Sequence, residues 1–311
     1  MRILFWGTPE FAVASLRALD DEGFDIVGVV TQPDRPAGRG RVPRASPVKS
    51  VALDQGLEVL TPESPKDAEF QARIRALAPD LSVVVAYGHL LSTDVLSIPR
   101  LGSINVHASL LPELRGAAPI NWAIARGHKM TGVTIMRMVR EMDAGAIIHR
   151  VEEPILSDET ASELSVRLSE LGAEALIEAL ALIGEGVADE QEQDHAAATF
   201  APKIDRETAH IDWSRPAHEI SWHVRAMDEV PGAWSTLAGE PVKLFRPTVE
   251  SPTVATISAP GTVLQANGGL LVATGASGAL RLGEVQASGG RRMNASDWIR
   301  GRRVTPGLRF E

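Results

Sequence analysis

The chain has 311 residues, of which 44% are hydrophobic and 23% are charged, and its formal net charge is −9. That length favours two folded domains, because single cores rarely grow beyond ~250–300 residues. The chain contains no cysteine, which excludes a disulfide framework, cysteine ligands for zinc and a thiol nucleophile. The acidic balance argues against general affinity for nucleic acid, and no apolar run approaches the ~18–20 residues of a membrane span.

The charge is unevenly distributed along the chain. Between residues 33 and 50, five Lys or Arg side chains stand against one carboxylate, that of Asp34. Residues 206–311 carry twelve basic and ten acidic residues, so the acidic surplus lies in the first 205 residues. The N-terminus has too short an apolar run for a signal-peptide core, and together with the missing cysteine this predicts a cytoplasmic protein.

The first part of the chain alternates strand and helix patterns. "RILFW" (2–6) predicts a buried strand, and Gly7-Thr8-Pro9 then turns into a helix that ends before "DIVGVVT" (25–31), the second strand. After the basic loop we expect a helix, a short strand, a helix around 66–76 and the apolar strand "DLSVVVAYG" (80–88). This order predicts an α/β fold with a mostly parallel sheet.

The pattern continues through the strand "SINVH" (103–107) to a helix from Pro119, two further strands and a long helix over 159–186, whose apolar residues recur three and four apart. Residues 187–205 are acidic and without period, which is typical of a linker. Beyond them, a helix within 211–227 precedes short strand patterns separated by Gly-rich turns. We therefore predict a first domain over 1–186 and a small antiparallel barrel or sandwich over 206–311.

The strand "SINVH" carries two polar residues on one side. Residues two apart in a strand point to the same face, so Asn105 and His107 look one way while Ile104 and Val106 look the other. The structural alternative is a core histidine with satisfied hydrogen bonds beside an amide that stabilises a turn. Ligands bind just outside the carboxyl ends of strands in open α/β sheets, and the paired occurrence at a strand end favours a functional site.

Asp143 in "REMDAGAII" (140–148) is the third candidate, although Asp-Ala-Gly is also an ordinary turn sequence. A carboxylate near His107 would favour the charged imidazolium and fix its tautomer, so the three residues could stabilise charge and move a proton. A Gly-x-Ser-x-Gly elbow is missing, which argues against a covalent nucleophile. The eight histidines include no His-x-x-x-His pair, so we predict no metal.

Six stretches together resemble the methionyl-tRNA formyltransferase family, in order and spacing along nearly the whole chain: "TQPDRPAGRGR", "VVVAYGHLL", "SINVHASLLPELRGAAPI", "TGVTIM", "MDAG" and "APKI". The Asn-x-His and Ser-Leu-Leu-Pro core alone would indicate only the wider group of enzymes that use 10-formyltetrahydrofolate. The basic loop and the C-terminal half narrow the resemblance. It implies a Rossmann-like catalytic domain, a C-terminal OB-like β-barrel that contacts tRNA, and a monomer.

The resemblance also implies a reaction, in which a formyl group passes from N10 of tetrahydrofolate to the α-amine of methionine on initiator tRNA. Asn105, His107 and Asp143 match the family's catalytic trio. The amine's attack makes a tetrahedral oxyanion, which Asn105 and a protonated His107 would stabilise; one such donor is typically worth ~2.7–4 kcal/mol. Asp143 would keep His107 charged and help pass the amine's proton towards the departing folate nitrogen.

The binding residues implied by the resemblance fall in two groups. The folate co-substrate, 10-formyltetrahydrofolate, would meet the turn of Ser109, Leu110, Leu111 and Pro112 and a second wall at Ala86, Tyr87 and Gly88, mainly through backbone groups and apolar contacts. The initiator methionyl-tRNA would meet Arg39, Arg41 and Arg44 of the basic loop, with Lys203, Arg302 and Arg303 as further phosphate contacts. Without the resemblance, the loop is interpreted as a solvated surface segment.

Two stretches depart from the family pattern. Ala146 stands where many relatives have an acidic residue. Because Asp143 is present, we expect this difference to affect only a secondary role of that position and not the catalytic trio. "MDEVPGAW" (227–234) replaces the familiar Asn-Pro-Trp-Pro form, and we expect this to alter the packing of the barrel rather than the chemistry.

Three other functions remain open at this point. Formyl transfer to a sugar-nucleotide amine would use a similar N-terminal core. The Arg-rich loop disfavours it, because it carries more positive charge than the two phosphates of a sugar nucleotide would neutralise. A nicotinamide-dependent oxidoreductase is disfavoured because "GTPEFA" lacks the Gly-x-Gly-x-x-Gly fingerprint. An RNA-binding module with an inactive core is disfavoured by the intact Asn, His and Asp set.

Overall fold

The computed structural model describes residues 1–37, 42–250 and 258–311. The chain divides into two compact units, the first formed by residues 1–116, 130–154 and 165–201, the second by 117–129, 155–164 and 202–311. In chain order, the elements up to residue 185 are β1 (Arg2–Gly7), α1 (Val13–Asp21), β2 (Asp25–Val30), β3 (Arg35–Ala37), β4 (Val42–Arg44), α2 (Pro47–Asp54), β5 (Val59–Leu60), α3 (Ala68–Ala76), β6 (Leu81–Val85), α4 (Thr93–Leu96), β7 (Ser103–His107), α5 (Pro119–Ala125), β8 (Met130–Arg137), β9 (Ile147–Pro154) and α6 (Ala161–Glu185). The remaining elements are α7 (Ala217–Ala226), β10 (Trp234–Leu237), β11 (Glu240–Glu250), β12 (Val263–Gln265), β13 (Leu270–Ala273), β14 (Ala279–Ala287), β15 (Met293–Asn294) and α8 (Ala295–Arg302).

The first unit is built on one sheet in the order β5-β2-β1-β6-β7-β8-β9. The strands from β5 to β7 run parallel, and β8 and β9 extend the sheet antiparallel. Every residue of β6 and nearly all of β1 is buried, as expected for parallel strands that are covered on both faces. The predicted α/β fold with a mostly parallel sheet is thus confirmed.

Strand β7 lies inside this sheet, parallel to β6 and antiparallel to β8. Asn105 is level with Val84 of β6, and His107, the last residue of β7, is level with Thr134 of β8. The parallel strands β1 and β6 end side by side at Gly7 and Val85. The carboxyl ends of β1, β6 and β7 therefore meet at one edge of the sheet, where ligands bind in open α/β folds.

Helix α6 begins with a capping box. The backbone N–H of Thr160 donates to Oε2 of Glu163 at 2.9 Å, and the backbone N–H of Glu163 donates to Oγ1 of Thr160 at 3.3 Å. These reciprocal bonds satisfy donors that have no partner within the first helical turn. The predicted helix over 159–186 is confirmed, with observed bounds Ala161–Glu185.

The second unit contains an antiparallel sheet in the order β10-β11-β14-β13-β12, with β15 beside β14. Its two ends are joined by the closing segment, residues 308–311. Glu311 exchanges two backbone hydrogen bonds of 2.9 Å with Thr236 of β10, and Leu308 accepts one of 2.7 Å from Val263 of β12. The sheet is thereby closed into a small barrel, the first of the two predicted alternatives for this region.

Several elements differ from expectation. The helix predicted within 211–227 is α7, which covers only Ala217–Ala226, and helix α8 was not predicted. The base of the basic loop is a hairpin in which Arg35 pairs with Arg44, rather than irregular structure. In the described ranges, each helix is too short or too polar to span a lipid bilayer.

Candidate active site

The imidazole of His107 is buried, with 5% of the residue exposed. Its Nε2 lies 3.1 Å from the carbonyl oxygen of Leu114, a residue of the loop that follows β7. A carbonyl only accepts hydrogen bonds, so Nε2 carries the proton of this contact. The contact fixes the orientation of the ring and leaves Nδ1 as the nitrogen that can gain or lose a proton.

The carboxylate of Asp143 faces this nitrogen. Its Oδ2 lies 3.7 Å from Nδ1 of His107 and accepts a hydrogen bond of 2.7 Å from the backbone N–H of Gly116. A separation of 3.7 Å is too long for a hydrogen bond, so the carboxylate faces the imidazole without engaging Nδ1. When His107 is protonated, its Nδ1–H therefore remains available to a substrate oxygen.

Asp143 lies in the connection between β8 and β9, with φ at 51°. This left-handed region is disfavoured for most residues, and Asp and Asn tolerate it best. The next residue but one, Gly145, has no room for a side chain, because a Cβ there would lie 2.0 Å from the carbonyl oxygen of Arg137. The Asp-Ala-Gly turn thus brings a carboxylate to His107 through a close backbone approach that glycine permits.

Asn105 is half-buried and lies two residues before His107 on the same strand. Within residues 1–37, 42–250 and 258–311 its side chain makes no hydrogen bond to protein. The amide is therefore able to donate to a ligand, in contrast to Nε2 of His107, which the loop already occupies.

The turn after β7 uses its polar groups internally. Ser109 is fully buried, and its Oγ donates to the carbonyl oxygen of Glu113 at 2.6 Å. The hydroxyl of Thr134 donates to the carbonyl oxygen of Ser109 at 2.6 Å and accepts from the N–H of Leu111 at 3.1 Å. Leu111 is buried, whereas Leu110 and Pro112 are half-buried. Ser109 and Leu111 therefore offer no surface to a ligand, whereas the half-buried Leu110 and Pro112 do.

The second predicted wall, after β6, alternates in exposure. Ala86 and Gly88 are exposed and both have positive φ, at 47° and 87°. Tyr87 between them is buried against Trp6, with ring centroids 5.2 Å apart. Burial raises the pKa of the Tyr87 phenol to about 12, and its hydroxyl has no hydrogen-bond partner among the described residues. The backbone carbonyl oxygen of Tyr87 accepts hydrogen bonds from the side chains of Thr8 and Gln32.

The predicted tRNA-contacting residues are on the surface where they are described. Arg44, in the first unit, and Lys203, Arg302 and Arg303, in the second, are exposed. Arg302 forms an ion pair with Glu240 at 3.1 Å. Arg39 and Arg41 lie outside the described residues, and the tRNA contacts of all six residues stay predictions.

Sequence reasoning did not single out Leu114, Gly116 or Gln193, which hold His107 and Asp143 in place. Gly116 begins a Gly-Ala-Ala-Pro run and has a φ of 123°, a conformation that favours glycine. The glycine in this run was therefore a sequence signal that could have pointed to the position. No local sequence pattern indicates Gln193, since it falls in an acidic stretch without hydrophobic periodicity. Across the part of the chain that the structure describes, the histidines and carboxylates form no cluster suited to hold a metal ion.

Comparison with known proteins identifies the family of this chain. Residues 1–180 match the formyl transferase family, and residues 203–303 match the C-terminal domain of formyl transferases. Over 311 residues, the chain is 46% identical to a methionyl-tRNA formyltransferase of Thiobacillus denitrificans, covering 100% of this chain and 99% of the relative. A relative of the same name from Bacillus velezensis is 43% identical over 98% of this chain and 96% of its own length. The chain belongs to the methionyl-tRNA formyltransferase family.

Solved structures share the fold at much lower identity. The methionyl-tRNA formyltransferase of Clostridium thermocellum aligns with a TM-score of 0.58 at 15% identity, over 80% of this chain and 94% of that one. An N-formyltransferase of Helicobacter canadensis, solved with folinic acid and dTDP-3-aminofucose, aligns with a TM-score of 0.66 at 16% identity, over 92% of this chain and 98% of that one. At such identities these likenesses establish the arrangement of strands and helices alone.

Proposed function

We propose that this protein transfers the formyl group of 10-formyltetrahydrofolate to the α-amine of methionine on initiator tRNA, giving N-formylmethionyl-tRNA. The observation that carries the proposal is the 46% identity over the full length to a relative of that name. The geometry of His107 and Asp143 supports it independently, because acyl transfer to an amine needs a proton acceptor and a donor for an oxyanion.

The chemistry we assign starts with the neutral amine, whose nitrogen attacks the formyl carbon. A carbon–nitrogen bond forms while the carbonyl oxygen takes the electron pair of its double bond. We assign the stabilisation of this oxyanion to the amide of Asn105 and to Nδ1–H of protonated His107, since Nε2–H is held by Leu114. When the bond to N10 of the folate breaks, the proton that the amine has lost ends on N10, and the carboxylate of Asp143 assists that transfer.

For the folate we propose the pocket walls at Ala86 to Gly88 and at Ser109 to Pro112, mainly through backbone atoms. This assignment is supported by the exposure of Ala86 and Gly88 and the partial exposure of Leu110 and Pro112, which leave surface for a ligand on both walls.

For the tRNA we propose contacts from Arg39, Arg41 and Arg44, and from Lys203, Arg302 and Arg303 in the second unit. We keep residues 1–186 as the catalytic domain, 187–205 as the segment that follows it, of which 187–201 pack within the first unit, and 206–311 as the tRNA-contacting domain. We further propose that the protein is a monomer and acts in the cytoplasm, where charged tRNA is available.

The experiment that tests the reaction offers three acceptors with the same folate donor: charged initiator tRNA, charged elongator tRNA and a sugar-nucleotide amine. We expect rapid formylation of the initiator tRNA only. Transfer to the sugar amine alone would overturn the proposal and favour formyl transfer to a sugar nucleotide.

A variant tests the role of His107. His107→Ala should lower turnover by orders of magnitude, because it removes the oxyanion donor, while the affinity for tRNA stays within about a factor of two. Rates come from single-turnover formylation and affinities from filter binding. Near-normal turnover would exclude the mechanism.

A further inference from the structure

A buried glutamine lies beside the Asp143 loop. Gln193, 5% exposed, comes from residues 187–201, which belong to the first unit. Two residues earlier, Gln191 exchanges backbone hydrogen bonds of 2.8 and 2.9 Å with Ile147 at the start of β9. This pairing lays the segment along the strand that follows Asp143 and directs the side chain of Gln193 inwards.

The Gln193 amide bridges a guanidinium and two carbonyls. Nε and Nη2 of Arg115 donate to Oε1 of Gln193 at 3.1 and 2.6 Å. Nε2 of Gln193 donates to the backbone oxygens of Asp143 at 2.9 Å and of Gly145 at 2.7 Å. Each polar atom of the amide is thus engaged, as a buried amide requires.

Arg115 determines which way this amide points. A guanidinium has five donors and no acceptor, so only the oxygen of the amide can face it. The NH₂ group must then face the opposite side, where the carbonyls of Asp143 and Gly145 can only accept. Arg115 is itself buried, at 6% exposed, and its Nη2 also contacts Nδ1 of His195 at 3.0 Å.

Arg115 and Gln193 support Asp143 in two ways. Gln193 donates a hydrogen bond to the backbone of Asp143, which adopts a disfavoured positive φ. Arg115 is covalently followed by Gly116, whose N–H donates to Oδ2 of Asp143, so fixing Arg115 also restrains that donor. The backbone position and the carboxylate of Asp143 are therefore both fixed relative to one guanidinium–amide pair.

We propose that Gln193, oriented by Arg115, is a positioning residue that holds the Asp143 carboxylate at its place beside His107. The inference rests on the proposed role of Asp143 and adds a residue from the acidic segment after α6. Neither Gln193 nor Arg115 touches the reacting atoms. Displacing a reacting group by about 1 Å can cost roughly 100-fold in rate, so removal of this support should be visible in kcat.

The test replaces Gln193 by Met, which keeps the length of the side chain and removes its hydrogen bonds. We expect kcat to fall about 10-fold to 100-fold, with KM for both substrates within about twofold of the parent value. Gln193→Glu keeps the acceptor for Arg115 and removes the donor, so its kcat should fall like that of Gln193→Met. Gln191→Met is the matched control, an exposed glutamine two residues away, and should leave kcat unchanged.

A double-mutant cycle separates positioning from a general effect on folding. If Gln193 acts through Asp143, adding Gln193→Met to Asp143→Asn should change the single-turnover rate by less than about twofold. The same proportional decrease in both backgrounds, or a full-rate Gln193→Met enzyme, would overturn the inference. Thermal unfolding of each variant shows whether it is folded. If the Gln193→Met protein is not folded, Gln193→Glu takes its place in the cycle.

The catalytic role of Asp143 and the positioning role of Gln193 can fail separately. A full-rate Asp143→Asn enzyme would remove the catalytic assignment of Asp143 and, with it, any role for Gln193. A slow Asp143→Asn enzyme combined with a full-rate Gln193→Met enzyme would overturn the positioning role only.

Discussion

Oδ2 of Asp143 accepts a hydrogen bond of 2.7 Å from the backbone N–H of Gly116. The same oxygen lies 3.7 Å from Nδ1 of His107, so the carboxylate is anchored by the main chain and not by the imidazole. The carboxylate therefore lies beside the imidazole without occupying the hydrogen-bonding position of Nδ1.

We predict that Asp143→Asn and Asp143→Ala differ in stability but not in chemistry. Both remove the charge and should reduce the single-turnover rate at least about 100-fold. Asn tolerates positive φ and keeps an oxygen for Gly116, whereas Ala is strained there by about 1–2 kcal/mol. The expected result is a lower unfolding midpoint for the Ala variant alone. Equal midpoints would show that the turn carries no strain.

Gly116→Ala should disturb the site through the backbone. Gly116 has a φ of 123°, and a Cβ there would lie 2.6 Å from the carbonyl oxygen of Ala201. We expect the free energy of unfolding to fall by more than about 2 kcal/mol and formylation to be slow. Gly102→Ala is the control, since its φ is 76° but the space around it is open. A Gly116→Ala enzyme as stable as the Gly102→Ala enzyme would contradict the predicted clash.

Tyr87→Phe should leave the folate site intact. The Tyr87 hydroxyl is buried without a partner among the described residues, and removing such a group is neutral or stabilising by about 1 kcal/mol. We expect the unfolding midpoint to hold or rise and KM for the folate donor to be unchanged. A clear rise in that KM would show that the hydroxyl contacts the donor.

The second unit should become less stable in acid through His223. Burial lowers the pKa of His223, the charges of Arg215 and His210 act in the same direction, and a backbone hydrogen bond to Ala209 opposes them. The unfolded chain therefore binds the proton at a higher pH than the folded one, so stability falls as the pH drops below the unfolded pKa of about 6.5.

We predict that His223→Gln makes the unfolding midpoint less dependent on pH below about 6.5 and changes that dependence little above it. His218→Gln, at an exposed position of the same helix, is the matched control. Curves for the parent and His223→Gln proteins that stay parallel down to about pH 5 would exclude this group.

Changing Arg39, Arg41 and Arg44 together to Gln should weaken tRNA binding and flatten its salt dependence. For every phosphate that the loop no longer neutralises, the slope of log affinity against log salt should become shallower by roughly 0.7–0.9. A control with the same change in charge replaces Arg17, Arg73 and Arg75, which are exposed on α1 and α3. An unchanged slope in the loop variant would remove these arginines from the interface.

The local patterns of the sequence predicted much of the fold. Strand β7 and helix α6 were predictable because alternation and a 3.6-residue period are properties of short windows. The pairing of His107 with Asp143 followed from the family motifs rather than from spacing. The role of Gln193 could not be predicted, because its hydrogen-bond partners are 50 and 78 residues away and no short window of sequence records such contacts.

Other features depend on the same kind of distant contact. Tyr87 is buried against Trp6, a residue of β1 that lies 81 positions earlier in the chain, and its local sequence does not record that contact. The closing segment contains few strand-forming residues, and its extended pairing is imposed by the two edges that it joins. Tertiary context decides both cases.

The closing segment also has a consequence for self-association. With residues 308–311 in place, the edges of β10 and β12 are both paired, so their main-chain groups are not offered to a neighbouring molecule. A change that released the segment would expose two edges at once. The first effect would be aggregation that increases with protein concentration, while the sheet that carries His107 stays folded.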